Sequence, residues 1–162
     1  MALAALDAEL VTRGPGGGRR VPVTELHVLP GERVDVDTVL EPGELIEAIE
    51  LSAPAPHGAY VKVRERASYE YALVSAAVTL ERAGDGTIAS ARIALGSVAL
   101  RPWRLADAER RLPGHAPDST EVTDILRDAL SQATAFGDSG YKARLALGAA
   151  RRALLSAAGI AP

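Results

Sequence analysis

Lys62-Val63-Arg64-Glu65-Arg66 places three cations at every second position, a spacing that sets them on one side of an extended chain. Taken alone, the pattern describes a cationic strand and nothing more specific. His27, His57 and His115 are scattered, and none has a second histidine or a carboxylate at metal-ligand spacing, so each reads as a surface loop residue. Asp35 and Asp37 alternate on one face, but two carboxylates without a glycine-turn scaffold fit a solvated edge better than a cation site. Gly14–Gly18 is rich in glycine, yet phosphate loops join a strand to a helix N-terminus. This one runs through Arg19-Arg20 into Val21-Pro22-Val23, a second extended segment, and reads as a hairpin tip. Arg110-Arg111 and Arg151-Arg152 fall late in helical segments, where cations suit the helix dipole without an anionic partner. No serine or threonine sits in a strand–turn–helix elbow, and with 0 cysteines the chain has no thiolate nucleophile, disulfide or iron–sulfur ligand of its own. No catalytic residue and no metal ligand is assigned.

The elements that must position these residues follow from pattern. The 162 residues suffice for one domain, and a chain this long buries roughly 68–70% of its unfolded surface without a staple. With 48% hydrophobic and 24% charged residues it falls in the soluble globular class, and a formal charge of −3 argues against nucleic acid as a partner. Charged residues, glycine or proline interrupt every apolar run, so no membrane span is expected, and the opening MALAALDAEL lacks the basic start of a signal peptide. The location is expected to be cytoplasmic. Residues 2–6 look like the tail of a helix. A hairpin follows about Gly14–Gly18, then a strand beginning at Ile46 and ending near Leu51 after the Pro42-Gly43 turn. Residues 52–58, SAPAPHG, mark the boundary between two structural units, 1–53 and 54–162. Beyond it, 60–66 alternates, with Val61 and Val63 on one face and Lys62, Arg64 and Arg66 on the other. A short helical turn is predicted near Ser68–Tyr71, then a strand through the apolar run Ala72–Leu80, with Tyr69 and Tyr71 packed in the core. Asp85-Gly86 turns the chain into a returning strand that must end before Pro102. Three helices close the chain, at Leu105–Leu112, Thr120–Ala135 and Gly140–Ala158. Strands followed by a block of helices predict an α+β fold, a small antiparallel sheet backed by helices.

The stretch YVKVRERASYEYALVSAAVTLE resembles the junction in the flavoprotein (medium) subunits of the molybdenum hydroxylases. These include the xanthine dehydrogenases, aldehyde oxidoreductases and carbon monoxide dehydrogenases. The likeness continues in ARIALGSVALRPWRLADAERRL, in SGYKARLALGAARRAL, and upstream in ALAALDAELVTRGPGGGRRVPVTELHVLPG and TVLEPGELIEAIEL. These stretches, in the family's order, cover nearly the whole chain. Ser97 and Leu100 stand where the family often has glycine and a smaller or different residue.

The resemblance implies a carbon monoxide dehydrogenase flavoprotein C-terminal-like domain at 54–162, preceded by a strand-rich remnant of the FAD-binding domain at 1–53. It implies FAD as cofactor, in a site this chain holds only in part, since nothing here matches the family's N-terminal glycine-rich cradle. Electrons would arrive from iron–sulfur clusters on a small subunit, fed by molybdopterin on a large subunit that oxidises an aldehyde or N-heterocycle. Lys62 matches the family's lysine near the isoalloxazine, and Ile46 the apolar residue beside the ring. Arg64 and Arg66 are expected to pair with Glu70 or to hold the junction. A second reading keeps the fold but makes the chain a non-catalytic assembly module, truncated with respect to the family, that does not bind FAD alone.

Overall fold

The structure, a computed structural model, describes residues 1–31, 34–52, 54–55, 57–134 and 137–161, without the side chain of Asp138. The α+β architecture expected from sequence is what the chain adopts, as two antiparallel sheets with helices packed on the larger. After one helical turn, α1 (Ala2–Ala5), the hairpin β1 (Glu9–Gly14) and β2 (Gly17–Pro22) pairs residue for residue around Pro15-Gly16. Gly17 has φ +110°, a value an L side chain rarely takes, so glycine is required to leave this tight turn. β3 (Leu45–Glu50) returns on the other side of β1, giving the order β2-β1-β3.

The second sheet has the order β4-β5-β6-β7, built from β4 (Gly58–Val63), β5 (Val74–Arg82), β6 (Ile88–Gly96) and the two-residue β7 (Trp103–Arg104). The returning strand β6 stops at Gly96, before Pro102 as expected, and the short β7 beyond the proline was not predicted. β5 explains the apolar run. Val74, Ala76, Val78 and Leu80 pack with Ile93 and Leu95 beneath the helices, while Ala77 on the opposite face joins Ala94, Ala4, Ala5, Ala8, Leu10, Val21 and Val23 in a second core. A strand covered on both faces reads as continuous hydrophobicity instead of alternation.

The helices are α2 (Ala106–Arg111), α3 (Thr120–Leu130) and α4 (Tyr141–Ala157), the last preceded by a 3₁₀ turn at Gly137–Gly140. Ser119 caps α3 by accepting from the Val122 N–H at 3.4 Å, and Val122, Ile125, Leu126, Ala129 and Leu130 form its buried stripe. α3 ends five residues earlier than predicted, and Ala135 lies outside the described residues. On α4 the buried face carries Ala146, Ala149, Ala150, Ala153, Leu154 and Ala157; Leu147 lies at its margin. Among the described residues, no helix is long and apolar enough to cross a membrane.

Candidate functional site

β4 is an edge strand, and its pleat separates two faces. Val61 and Val63 pack against the helix-side core, while Tyr60 and Lys62 project from the other face. Lys62 pairs with Ser75, which pairs with Gly96, so the three form one row across the sheet. A Cβ on Gly96 would lie 2.7 Å from Met1 Cγ and 2.6 Å from Ser75 Oγ, so glycine makes room here for the start of the chain.

From Arg64 to Leu73 the chain forms a strap of bends. The helical turn predicted near Ser68–Tyr71 is absent, and Tyr69 and Tyr71 are not core residues: they are 98% and 92% exposed. Tyr69 has φ +50°, outside the helical region and unusual for a bulky residue. Two side chains reach the strap's carbonyls. Lys62 Nζ donates to Glu70 O at 2.6 Å, and Arg66 Nη2 donates to Tyr69 O at 2.6 Å. Arg66 Nε also lies 3.3 Å from Glu70 Oε2, the pairing anticipated from sequence, and Leu73 N–H closes the strap on Val63 O at 2.9 Å. Lys62, Tyr69, Glu70 and Tyr71 line a shallow cavity of about 390 Å³.

Ile46 lies elsewhere. It sits on β3 opposite Thr12, in the other sheet, 44% exposed, and it does not line the cavity at Lys62. β3 is exposed at all six positions, with Leu45 and Ile49 presented to solvent at 72% and 50%. Glu44, which sequence reasoning missed, anchors the start of this strand. Its carboxylate accepts from Arg19 Nε and Nη2 at 2.8 Å each, from Thr12 Oγ1 at 2.5 Å and from Glu41 N–H at 2.8 Å. Hydrogen bonds from Arg19, Thr12 and the Glu41 amide lower its pKa from 4.5 to about 2. Its sequence signal was the Pro-Gly-Glu turn facing a strand threonine, too common to single out.

The other candidates resolve as structure. A hollow of about 690 Å³ over β1 and β2 exposes Arg13, Arg19 and Arg20, but these pair with Glu47, Glu44 and Glu50 respectively. The glycine-rich turn is therefore a hairpin tip whose nearby cations are already engaged. The backbone carbonyls of His57 and His115 accept from Leu80 and Ile88, and His27 forms an isolated bridge with Thr38. Asp35 and Asp37 are exposed. Among the described residues, no His, Cys, Asp and Glu group could hold a metal ion.

Arg104 ties the N-terminal segment to the sheet. It donates to Glu109 through Nε and Nη2 at 2.8 and 2.7 Å, and through Nη1 to Asp7 and to Ala4 O at 2.7 Å. Glu109 also accepts from Ile93 N–H at 2.8 Å, and Asp7 also pairs with Arg92. The hydrogen bond to Glu109 raises the Arg104 pKa. Burial pushes the Asp7 carboxyl upward, but hydrogen bonds and charge from Arg104 and Arg92 prevail and hold it below 3.8.

The sequence matches the CO dehydrogenase flavoprotein C-terminal domain over residues 59–157, and the chain belongs to that family. It is 41% identical over 116 residues to the aldehyde oxidoreductase FAD-binding subunit PaoB of Escherichia coli (strain K12), covering 69% of this chain and 34% of that one. It is 31% identical over 157 residues to the carbon monoxide dehydrogenase medium chain of Afipia carboxidovorans, covering 92% and 51%. The fold superposes on the Cu,Mo-CO dehydrogenase in its cyanide-inactivated form with a TM-score of 0.81 and 30% identity, over 98% of this chain and 55% of that one. The chain thus spans about half or less of the length of the curated relatives it matches.

Proposed function

We propose that this chain forms one wall of the FAD site in a molybdenum hydroxylase complex, on the path by which electrons leave iron–sulfur clusters of a small subunit. The observation that carries the reading is the convergence of the Lys62 ammonium and two solvent-facing tyrosines on one shallow cavity. Planar apolar faces beside a cation suit a flat heteroaromatic ring that gains electron density. FAD, when bound, would supply acceptance of two electrons. Lys62 would favour the reduced form by its charge; Tyr69 and Tyr71 would abut the ring and keep water from it. Ile46 would stand at the ring's edge from β3, on the far side of the same cofactor. Molybdopterin on a large subunit would oxidise the aldehyde or N-heterocycle. The family, the FAD-binding name of one relative and the medium-chain name of the other support this assignment. We assign residues 1–53 to the FAD-binding domain and 54–162 to the C-terminal domain, in a cytoplasmic enzyme.

The cavity at Lys62 draws no residue from β3, where Ile46 sits, which favours a second reading, an assembly module that does not bind FAD alone. Titration of FAD into the pure chain separates them, since micromolar binding with quenched flavin fluorescence defeats the module reading. In a chimera carrying the N-terminal half of the Afipia medium chain, Lys62→Met should lower the flavin potential by tens of millivolts, about 30 mV being roughly 1.4 kcal/mol for two electrons. An unchanged potential would remove Lys62 from the site.

A further inference from the structure

Strand alternation makes Lys62, Arg64 and Arg66 look equivalent, but β4 ends at Val63 and the equivalence ends with it. Lys62 bonds a neutral carbonyl, which leaves its charge unmatched by that partner, whereas Arg66 meets the Glu70 carboxylate at 3.3 Å as well as the Tyr69 carbonyl at 2.6 Å. Arg66 is thus charge-compensated and geometrically committed. The carbonyl it holds belongs to Tyr69, whose φ of +50° is a conformation a bulky residue keeps only when its surroundings impose it. Tyr69 is 98% exposed, so side-chain packing does not impose it. The side-chain hydrogen bonds this turn receives are to consecutive carbonyls, 69 and 70, from Arg66 and Lys62. A strained, solvent-facing tyrosine beside a cation fits the clustering of such backbone at ligand sites.

We propose that Arg66 is a positioning residue: through the Tyr69 carbonyl it fixes the strained turn that presents Tyr69 and Tyr71 as a stacking surface beside Lys62. The proposal rests on the FAD-wall reading for the identity of the planar ring and on the strap geometry for the clamp. It divides the labour of the cationic row, with Lys62 supplying charge at the cavity and Arg66 supplying shape. The planar guanidinium serves both Tyr69 O and Glu70 from one side chain, which an ammonium does less well.

Chymotrypsin cleaves after tyrosine and needs a locally extended chain, so nicking after Tyr69 or Tyr71 in the full 162-residue chain reports release of the strap. Arg66→Met should raise the nicking rate about tenfold, equivalent to about 1.4 kcal/mol of lost protection, with the melting temperature nearly unchanged. Arg66→Lys should recover most of the protection, and Glu70→Gln, which spares the carbonyl contact, should nick at close to the wild-type rate. Wild-type nicking in Arg66→Met would overturn the proposal. So would a Glu70→Gln chain released as fully as Arg66→Met, since the ion pair alone would then hold the strap. These rates are read without flavin, so an unchanged flavin potential for Lys62→Met in the chimera would refute the FAD-wall reading and leave the clamp to be judged by nicking.

Discussion

Replacing Arg104 by Met tests whether residues 1–53 and the larger sheet form one folding unit. Methionine keeps the apolar stem but removes the guanidinium that bonds Glu109 twice, Asp7 and the Ala4 carbonyl. The Arg104 and Glu109 side chains are only 20% and 13% exposed, so Glu109 would keep a mostly buried charge with Ile93 N–H as its recorded partner. Asp7, at 42% exposure, can turn to water and adds little. Stranding one member of a buried pair costs about 3–5 kcal/mol, and partial exposure brings the expectation to about 3. In a chain of this size that corresponds to a fall of roughly 6–12 °C in melting temperature. Circular dichroism melting measures it. Adding Glu109→Gln to Arg104→Met should restore part of the loss, because the amide oxygen still accepts from Ile93 N–H and no charge is stranded. Hydrogen exchange should locate the damage: Val23 N–H, bonded to Ala8 O at 2.9 Å, should lose protection more than strand amides in β5. A melting temperature within 2 °C of wild type, or no recovery in the double variant, would refute the argument that this guanidinium joins the two parts.

Glu44 predicts a pH dependence. Its folded pKa of about 2 lies below the ordinary 4.5, so its contribution is fully present above about pH 4.5 and fades as pH falls toward 2. The stability gap between wild type and Glu44→Gln, measured by urea unfolding, should therefore narrow between pH 6 and pH 2; a constant gap would contradict the assignment. Ser97 is exposed at φ +64°, with its carbonyl held by Lys142 Nζ at 2.9 Å. Ser97→Gly should relieve about 1–2 kcal/mol of left-handed strain against about 0.5–1 of added chain entropy. A melting temperature higher by about 1–3 °C is the expected result, and a fall would show that serine makes contacts worth keeping.

Much of the fold was legible because its signals are local. The hairpin at Gly14–Gly18, the Asp85-Gly86 turn, the capped stripe of α3 and the alternation of Val61 and Val63 need no tertiary information. The double-sided burial of β5 was readable only as an uninterrupted apolar run, and the partner covering its second face, Ala4, Ala5 and Ala8, lies some 70 residues away in sequence. The strap escaped for a different reason. Ser-Tyr-Glu-Tyr carries no glycine to announce the positive φ at Tyr69, and two tyrosines before an apolar run imitate a core segment. The candidate site was half legible: Lys62 faces the cavity, but the tyrosines that line it with Lys62 had been assigned to the core, and Ile46 belongs to another sheet.

The cationic face precedes the best core segment because the two segments occupy unlike places in one sheet. β5 lies between neighbours and is covered on both faces; β4 is the edge, with one face on the helices and the other open beyond α1. An exposed edge strand is a hazard for pairing with other chains, and a lysine there blunts it. Lys62 therefore has a structural reason to be charged before any cofactor is considered. That reason does not require Lys62 to reach the Glu70 carbonyl, nor two tyrosines to stand almost wholly exposed around it. Edge protection asks only that a charge be present and solvated, whereas the strap fixes where that charge sits and what surrounds it. The two roles separate experimentally. A Lys62→Arg chain should keep the edge protected and sediment as the wild type does, while a longer, planar cation would shift both the Glu70 contact and the cavity. If sedimentation of Lys62→Arg matches the wild type while the strap becomes as susceptible to chymotrypsin as in Arg66→Met, the lysine serves the cavity and not merely solubility.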